Sequence, residues 1–198
     1  MPKIALFGTS ADPPTEGHKF IINWLSQKFD HVAIWASNNP FKSHRISLEK
    51  RSKMLRLMIE EIHAQDQNIS VYPELSSHRA LETVAQANIL WKNAEFTFVI
   101  GSDLVTQLPH WYKIEDFLKQ VQLLVIYRPG YPTEEMNLGE IRKLGGNITI
   151  APLIGPNISS TAYREKRDIN ALSPAIKAYI EQEKLYSWQE EKKMEIRN

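Results

Sequence analysis

The 198 residues predict an α/β protein with a doubly wound parallel sheet covered by helices on both faces. Three observations predict it. Short apolar runs of strand length alternate with stretches of helical spacing along most of the chain. The periodicity changes from strand-like to helical across the loop between Phe7 and Phe20, and strand signals stop at Ile158. With 42% hydrophobic and 24% charged residues, the chain can bury a real core and does not read as disordered. We expect a single domain over residues 1–188, its last part (158–188) a small C-terminal helical cap, and a charged, frayed tail at 189–198.

The elements follow in order. Ile4 to Phe7 is a buried strand, and Phe20, Ile21, Trp24, Leu25 and Phe29 then fall at helical spacing. His31 to Trp35 is the second strand, running into a polar loop from Ala36 to Arg45. Ser47 can cap a helix whose apolar face is Leu48, Leu55, Met58, Ile59 and Ile62. Ile69 to Tyr72 is a short strand, Ala80 to Trp91 a helix, and Phe96 to Ile100 a strand ending in Gly101-Ser102-Asp103. A helix over Ile114 to Lys119 precedes the strand Gln122 to Tyr127 and the turn Arg128-Pro129-Gly130-Tyr131-Pro132. A helix near Glu134 to Leu144, a strand over Asn147 to Ala151, and helices near Thr161 to Arg167 and Pro174 to Glu183 complete the pattern. In open sheets of this class ligands bind beyond the carboxyl ends of the strands, so the loops after Phe7, Trp35, Ile100 and Tyr127 should share one rim.

Two stretches on that rim suit phosphate. In Phe7-Gly8-Thr9-Ser10-Ala11-Asp12-Pro13-Pro14-Thr15-Glu16-Gly17-His18, Gly8 and Gly17 allow close backbone approach and Thr15 can cap the helix. The first-turn N–H groups would attract an anion, and His18 can donate to a phosphate oxygen. The same pattern also fits an ordinary strand–loop–helix connection. In Ile158-Ser159-Ser160-Thr161-Ala162-Tyr163-Arg164, hydroxyls at a helix start lie on one face with Arg164, which suits a polyphosphate or, more plainly, a capped helix. Asp103, at a strand end, can accept from ribose hydroxyls or cap a helix. Trp111 offers an aromatic face or ordinary packing. Asn38, Asn39, Lys42 and His44 lie on one loop, where Lys42 could neutralise a phosphate, and Arg51 could do the same.

Composition removes other classes. Lys and Arg total 24 against 23 Asp and Glu, a net charge of +1 that favours neither a nucleic-acid nor a membrane partner. Without cysteine there is no disulfide framework, no thiolate catalysis and no zinc spacing, and we expect no protein metal site. No apolar run approaches the ~18 residues of a membrane span, and no leader pattern precedes the first strand; a cytoplasmic location is the default expectation.

Thr15-x-Gly17-His18 soon after the first strand resembles the (H/T)-x-G-H signature of the nucleotidyltransferase superfamily, and Ile158-Ser159-Ser160-Thr161-x-x-Arg164 resembles its I-S-S-T-x-x-R partner. Phe7-Gly8, Asp12-Pro13, Gly101-x-Asp103 and Trp111-Tyr112 narrow the likeness to the nicotinate/nicotinamide mononucleotide adenylyltransferases, over about Ile4 to Tyr186. The chain departs from the familiar string at Thr9-Ser10-Ala11, at Thr15 in place of the first histidine, and at Glu82-Thr83-Val84-Ala85-Gln86, which only partly matches Y-T-x-x-T.

The resemblance implies a Rossmann-like fold and transfer of the adenylyl group of ATP to nicotinate mononucleotide, with Mg²⁺ arriving on ATP. It implies His18, Thr15 and Arg164 as catalytic residues. ATP would be held by Gly8, Thr9, Gly17, His18, Gly101, Asp103, Ser159, Ser160, Thr161 and Arg164. Asn39, Lys42, Thr83, Trp111 and Arg128 would hold the pyridine mononucleotide. A nicotinamide-mononucleotide or dual-specificity enzyme, and a non-catalytic nucleotide sensor of the same fold, are the alternatives.

Overall fold

The computed structural model describes residues 1–39, 42–62, 68–130, 135–153 and 156–186. The expected tail at 189–198, and positions 131–132 of the expected turn, lie outside the described residues. Six parallel strands form one sheet: β1 (Lys3–Thr9), β2 (His31–Ala36), β3 (Ile69–Val71), β4 (Glu95–Gly101), β5 (Gln122–Ile126) and β6 (Asn147–Ile150). Their order is β3-β2-β1-β4-β5-β6, with the switch point between β1 and β4. In such a sheet the crevice at the switch point is where ligands bind.

The alternation inside each strand explains why both faces are covered. In β1, Ala5 and Phe7 join one apolar cluster while Ile4 and Leu6 join another; in β2, Val32 and Ile34 divide from Ala33 and Trp35 in the same way. A strand buried on both faces reads as a continuous apolar run, which is how these runs read in the sequence. The first cluster is closed by α1 (Glu16–Ser26), α2 (Leu48–Ile62), α6 (Ser160–Lys166) and α7 (Pro174–Gln182). The second is closed by α3 (Ala80–Leu90), α4 (Ile114–Leu118) and α5 (Glu135–Lys143). The C-terminal cap docks by burying Tyr163, Leu172, Ile176 and Ile180 beside Leu55 and Met58 of α2.

The expected strands and helices are all found, with ends shifted by a few residues. The sequence reading missed a long 3₁₀ stretch, Ser102–His110, directly after β4. Its Leu108 and Val105 are buried, so apolar spacing was present, but Pro109 and the turn residues before it masked the helical pattern.

Candidate active site

The loop after β1 is built around Thr15 and His18. Thr15 stands at the N-cap of α1 with extended backbone (φ −127, ψ 168). His18, at the third helical position, turns its ring back so that Nδ1 accepts the Thr15 backbone N–H at 3.0 Å and lies 2.9 Å from Thr15 Oγ1. This is a capping box with histidine in the role usually taken by glutamate. A backbone N–H can only donate, so Nδ1 is the unprotonated nitrogen and Nε2 carries the hydrogen. Burial, then the charges of Arg128 and Lys42, lower the His18 pKa to about 3. The ring is therefore neutral at pH 7, with Nε2–H left as its donor.

The second motif is bonded to the first. Ser160 Oγ donates to the Pro13 carbonyl at 2.7 Å, 147 residues away. Arg164 donates through Nη1 to the Asp12 carbonyl and through Nη2 to Thr161 Oγ1 at 3.1 Å. Ser159 caps α6, accepting the Ala162 N–H at 3.1 Å. Gly17 has no room for a side chain, because a Cβ there would lie 2.7 Å from the Ile158 carbonyl oxygen. The glycine of the first motif thus lets the second lie against it.

Across the crevice, the loops after β2, β4 and β5 meet on one carboxylate. Asp103 Oδ2 accepts from Lys42 Nζ at 3.1 Å and from Arg128 Nη1 at 3.2 Å. Gly101 makes room for this: a Cβ there would fall 2.4 Å from Asp103 Oδ1 and 3.0 Å from Arg128 Cδ. Arg128 N–H also donates to Ser102 Oγ at 2.9 Å. The shared rim expected of these loops is present.

The other expected site residues have the following neighbours. Gly8 lies under the Trp35 indole, 2.6 Å from where its Cβ would be. The Thr9 carbonyl accepts the Ser37 N–H at 2.7 Å, and the Asn39 carbonyl accepts the Lys42 N–H at 3.2 Å. Trp111 is half-buried, with ring centroids 6.3 Å from Phe98 and 5.8 Å from Phe117. Thr83 is buried, its hydroxyl donating to the Leu75 carbonyl at 2.9 Å, so it ties α3 to the segment after β3 instead of donating that hydrogen to a ligand.

Arg51 is a further correction. It does not stand free to neutralise a phosphate but is a buried residue of α2. Its guanidinium donates to the carbonyls of Ser10 (2.7 Å), Ser37 (2.8 Å) and Ile46 (3.1 Å). It ties the β1–α1 and β2–α2 loops together, work for which five fixed donors are suited.

The cytidylyltransferase-like family model matches residues 6–166. A relative from Synechocystis sp., named a probable nicotinate-nucleotide adenylyltransferase, is 38% identical over 197 residues, covering 93% of this chain and 98% of its own length. The chain belongs to the nicotinate-nucleotide adenylyltransferase family. A Bacillus cereus relative of the same name is 29% identical, covering 94% of this chain and 99% of its own. Among solved structures, Plasmodium falciparum nicotinic acid mononucleotide adenylyltransferase complexed with NaAD superposes with a TM-score of 0.77 at 22% identity, over 96% of this chain and 99% of that one. At that identity the superposition speaks for the fold, which is the family's Rossmann-like one.

What sequence reasoning missed in this family member is the work of Asp12. Its carboxylate is buried, accepts the Arg45 N–H at 2.8 Å and accepts the Tyr186 hydroxyl. Asp12 was visible as part of the motif, but nothing local indicates partners 33 and 174 positions away. His44 shares this neighbourhood, facing Arg51, Asp12, Lys42 and Arg164; its Nε2 is buried with no hydrogen-bond partner among the described residues.

Burial holds His18, His31 and His44 all below the ordinary histidine pKa. The unfolded chain therefore binds more protons than the folded one below about pH 6.5. Stability from these groups is complete above that pH and declines as pH falls toward about 3, where His18 titrates. The urea midpoint should be lower at pH 5 than at pH 7.5; equal midpoints would contradict neutral burial of these rings.

Proposed function

We propose that this protein joins ATP to nicotinate mononucleotide at the crevice around His18, giving deamido-NAD and pyrophosphate. One oxygen of the mononucleotide 5′-phosphate attacks the α-phosphorus of ATP. The new P–O bond forms as the bond from the α-phosphorus to the α,β-bridging oxygen breaks, and that bond's electron pair leaves with pyrophosphate. The nucleophile is already an anion at neutral pH, so no general base is needed and catalysis is positioning plus charge stabilisation. The observation that carries the reading is the bonding of the Ser159–Arg164 segment to Asp12 and Pro13, in the loop that leads into Thr15 and His18, beside the Lys42–Asp103–Arg128 cluster.

His18 supplies a neutral Nε2–H to the oxygens on the α-phosphorus as charge develops there. Protonating Nδ1 would set it against the Thr15 N–H, so Thr15 holds the ring in its donor form. Arg164 and the hydroxyls of Ser160 and Thr161 serve the departing β- and γ-phosphates, exchanging contacts to one another and to the loop for contacts to ATP. Lys42 and Arg128, drawn together by Asp103, face the mononucleotide phosphate, and Trp111 offers its exposed part to the pyridine ring.

Magnesium enters as part of the MgATP substrate. The donor set fits this: both oxygens of Asp12 accept protein donors and Asp103 Oδ2 takes two cations. Among the described residues no group of three or more His, Asp or Glu gathers to hold an ion. In this reading phosphate oxygens and water serve as its ligands. Among the described residues no helix is long and apolar enough to cross a membrane.

The test is pyrophosphate release with MgATP and either nicotinate or nicotinamide mononucleotide at equal concentration. Preference for the acid is the expected result. Comparable rates would point to dual specificity, and ATP binding without release from either would overturn the reading in favour of a sensor.

A further inference from the structure

The catalytic loop is held from the far end of the chain. Tyr186 lies beyond α7, yet its hydroxyl donates to the buried Asp12 carboxylate, and its ring packs edge-on against Tyr163 of α6 with centroids 5.8 Å apart. Both side chains are more than nine-tenths buried. The other Asp12 oxygen accepts the Arg45 N–H, three residues along the same loop from Lys42, and the Asp12 carbonyl accepts from Arg164. One residue thus joins four segments: the loop leading into Thr15 and His18, the loop carrying Lys42, the second motif, and the C-terminal segment.

We infer that Tyr186 is a positioning residue, acting through Asp12 to set the first-motif loop and the Arg45 segment in the geometry that adenylyl transfer needs. The ring shares the apolar cluster of Tyr163 and the buried residues of α2, and the hydroxyl satisfies a buried acceptor, which contributes to stability. The same hydroxyl also fixes the carboxylate's orientation, and with it the Arg45 backbone. Burial pushes the Tyr186 phenol above its ordinary range, and the hydrogen bond to Asp12 adds to the effect, so the group stays a donor at every working pH. Displacing a positioning loop by about 1 Å can cost ~10²-fold in rate without touching the reacting groups.

This rests on the proposed adenylyl transfer, so the full-length wild-type protein is assayed first with MgATP and nicotinate mononucleotide; inactivity there fails that reading and not this one. Given activity, Tyr186→Phe, Asp12→Asn and the double variant are compared well below their melting temperatures. Y186F should keep a cooperative melt and near-native KM values while kcat falls about tenfold or more. The double variant should lose less than the product of the two single losses, because Asp12→Asn leaves one acceptor for two donors and so weakens the same coupling. Hydrogen exchange at the Arg45 amide should quicken in Y186F. Native kcat in Y186F, or single losses that multiply in full in the double variant, would overturn the assignment. Failure of Y186F to fold would assign the hydroxyl to stability instead, with the Asp12→Asn exchange pattern as the second measure: an unchanged Arg45 amide there also overturns it.

Discussion

His18→Ala should lower turnover by about 10²-fold or more, with ATP affinity changed only modestly, because it removes a donor used most as charge builds in the transition state. The magnitude follows from the setting. His18 is buried and neutral, its Nδ1 is committed to Thr15, and Nε2–H is what remains to donate. Alanine also strands the Thr15 N–H, which at about 1–3 kcal/mol would weaken the cap and confuse the kinetics with stability. His18→Asn separates the two effects, since its amide oxygen can accept the Thr15 N–H while the Nε2 donor is absent. Near-native melting with turnover still about 10²-fold down is the expected outcome for this variant. Pyrophosphate release within about threefold of wild type in both variants would rule out His18 as the principal α-phosphate donor.

Arg51→Met should produce the largest loss of stability. The substitution keeps much of the volume but leaves the carbonyls of Ser10, Ser37 and Ile46 without their guanidinium partner. Each stranded group costs about 1–3 kcal/mol. Removing a buried charge returns some desolvation energy, which is why an apolar replacement can be neutral when every partner is replaced too. Here the partners are main-chain oxygens that no single substitution removes, so the penalty wins. A net loss of about 3 kcal/mol corresponds to roughly 6–12 °C in Tm for a chain of this size. Activity should fall as well, since Arg51 sets the two loops that carry Thr15 and Lys42. A melt unchanged by the substitution would mean those carbonyls find other donors.

Much of this was legible in the sequence, for local reasons. Short apolar runs such as Ile4 to Phe7 and Val32 to Trp35 have strand length and read as strands buried on both faces, and their alternation with helical spacing argues a parallel sheet. Thr15-x-Gly17-His18 encodes its own cap geometry, because the ring at the third helical position is within reach of the N-cap amide wherever the helix is placed. Loop positions after strands fall on one rim because the strands all run parallel.

What the tertiary structure decided were partnerships across long separations. Read locally, Arg51 and Lys42 are both cations near one loop. The fold buries the first against three carbonyls and sends the second to Asp103. Thr83 sits within a motif-like stretch, yet helix packing turns its hydroxyl onto Leu75. Gly17 is read from sequence as a point of close backbone approach, and the fold decides that the Ile158 carbonyl is what approaches it. Tyr186 and Asp12 carry no mark of each other. A residue's spacing specifies the face it occupies on its own helix or strand. Which group meets that face depends on where distant segments dock, and burial then makes each polar pairing obligatory.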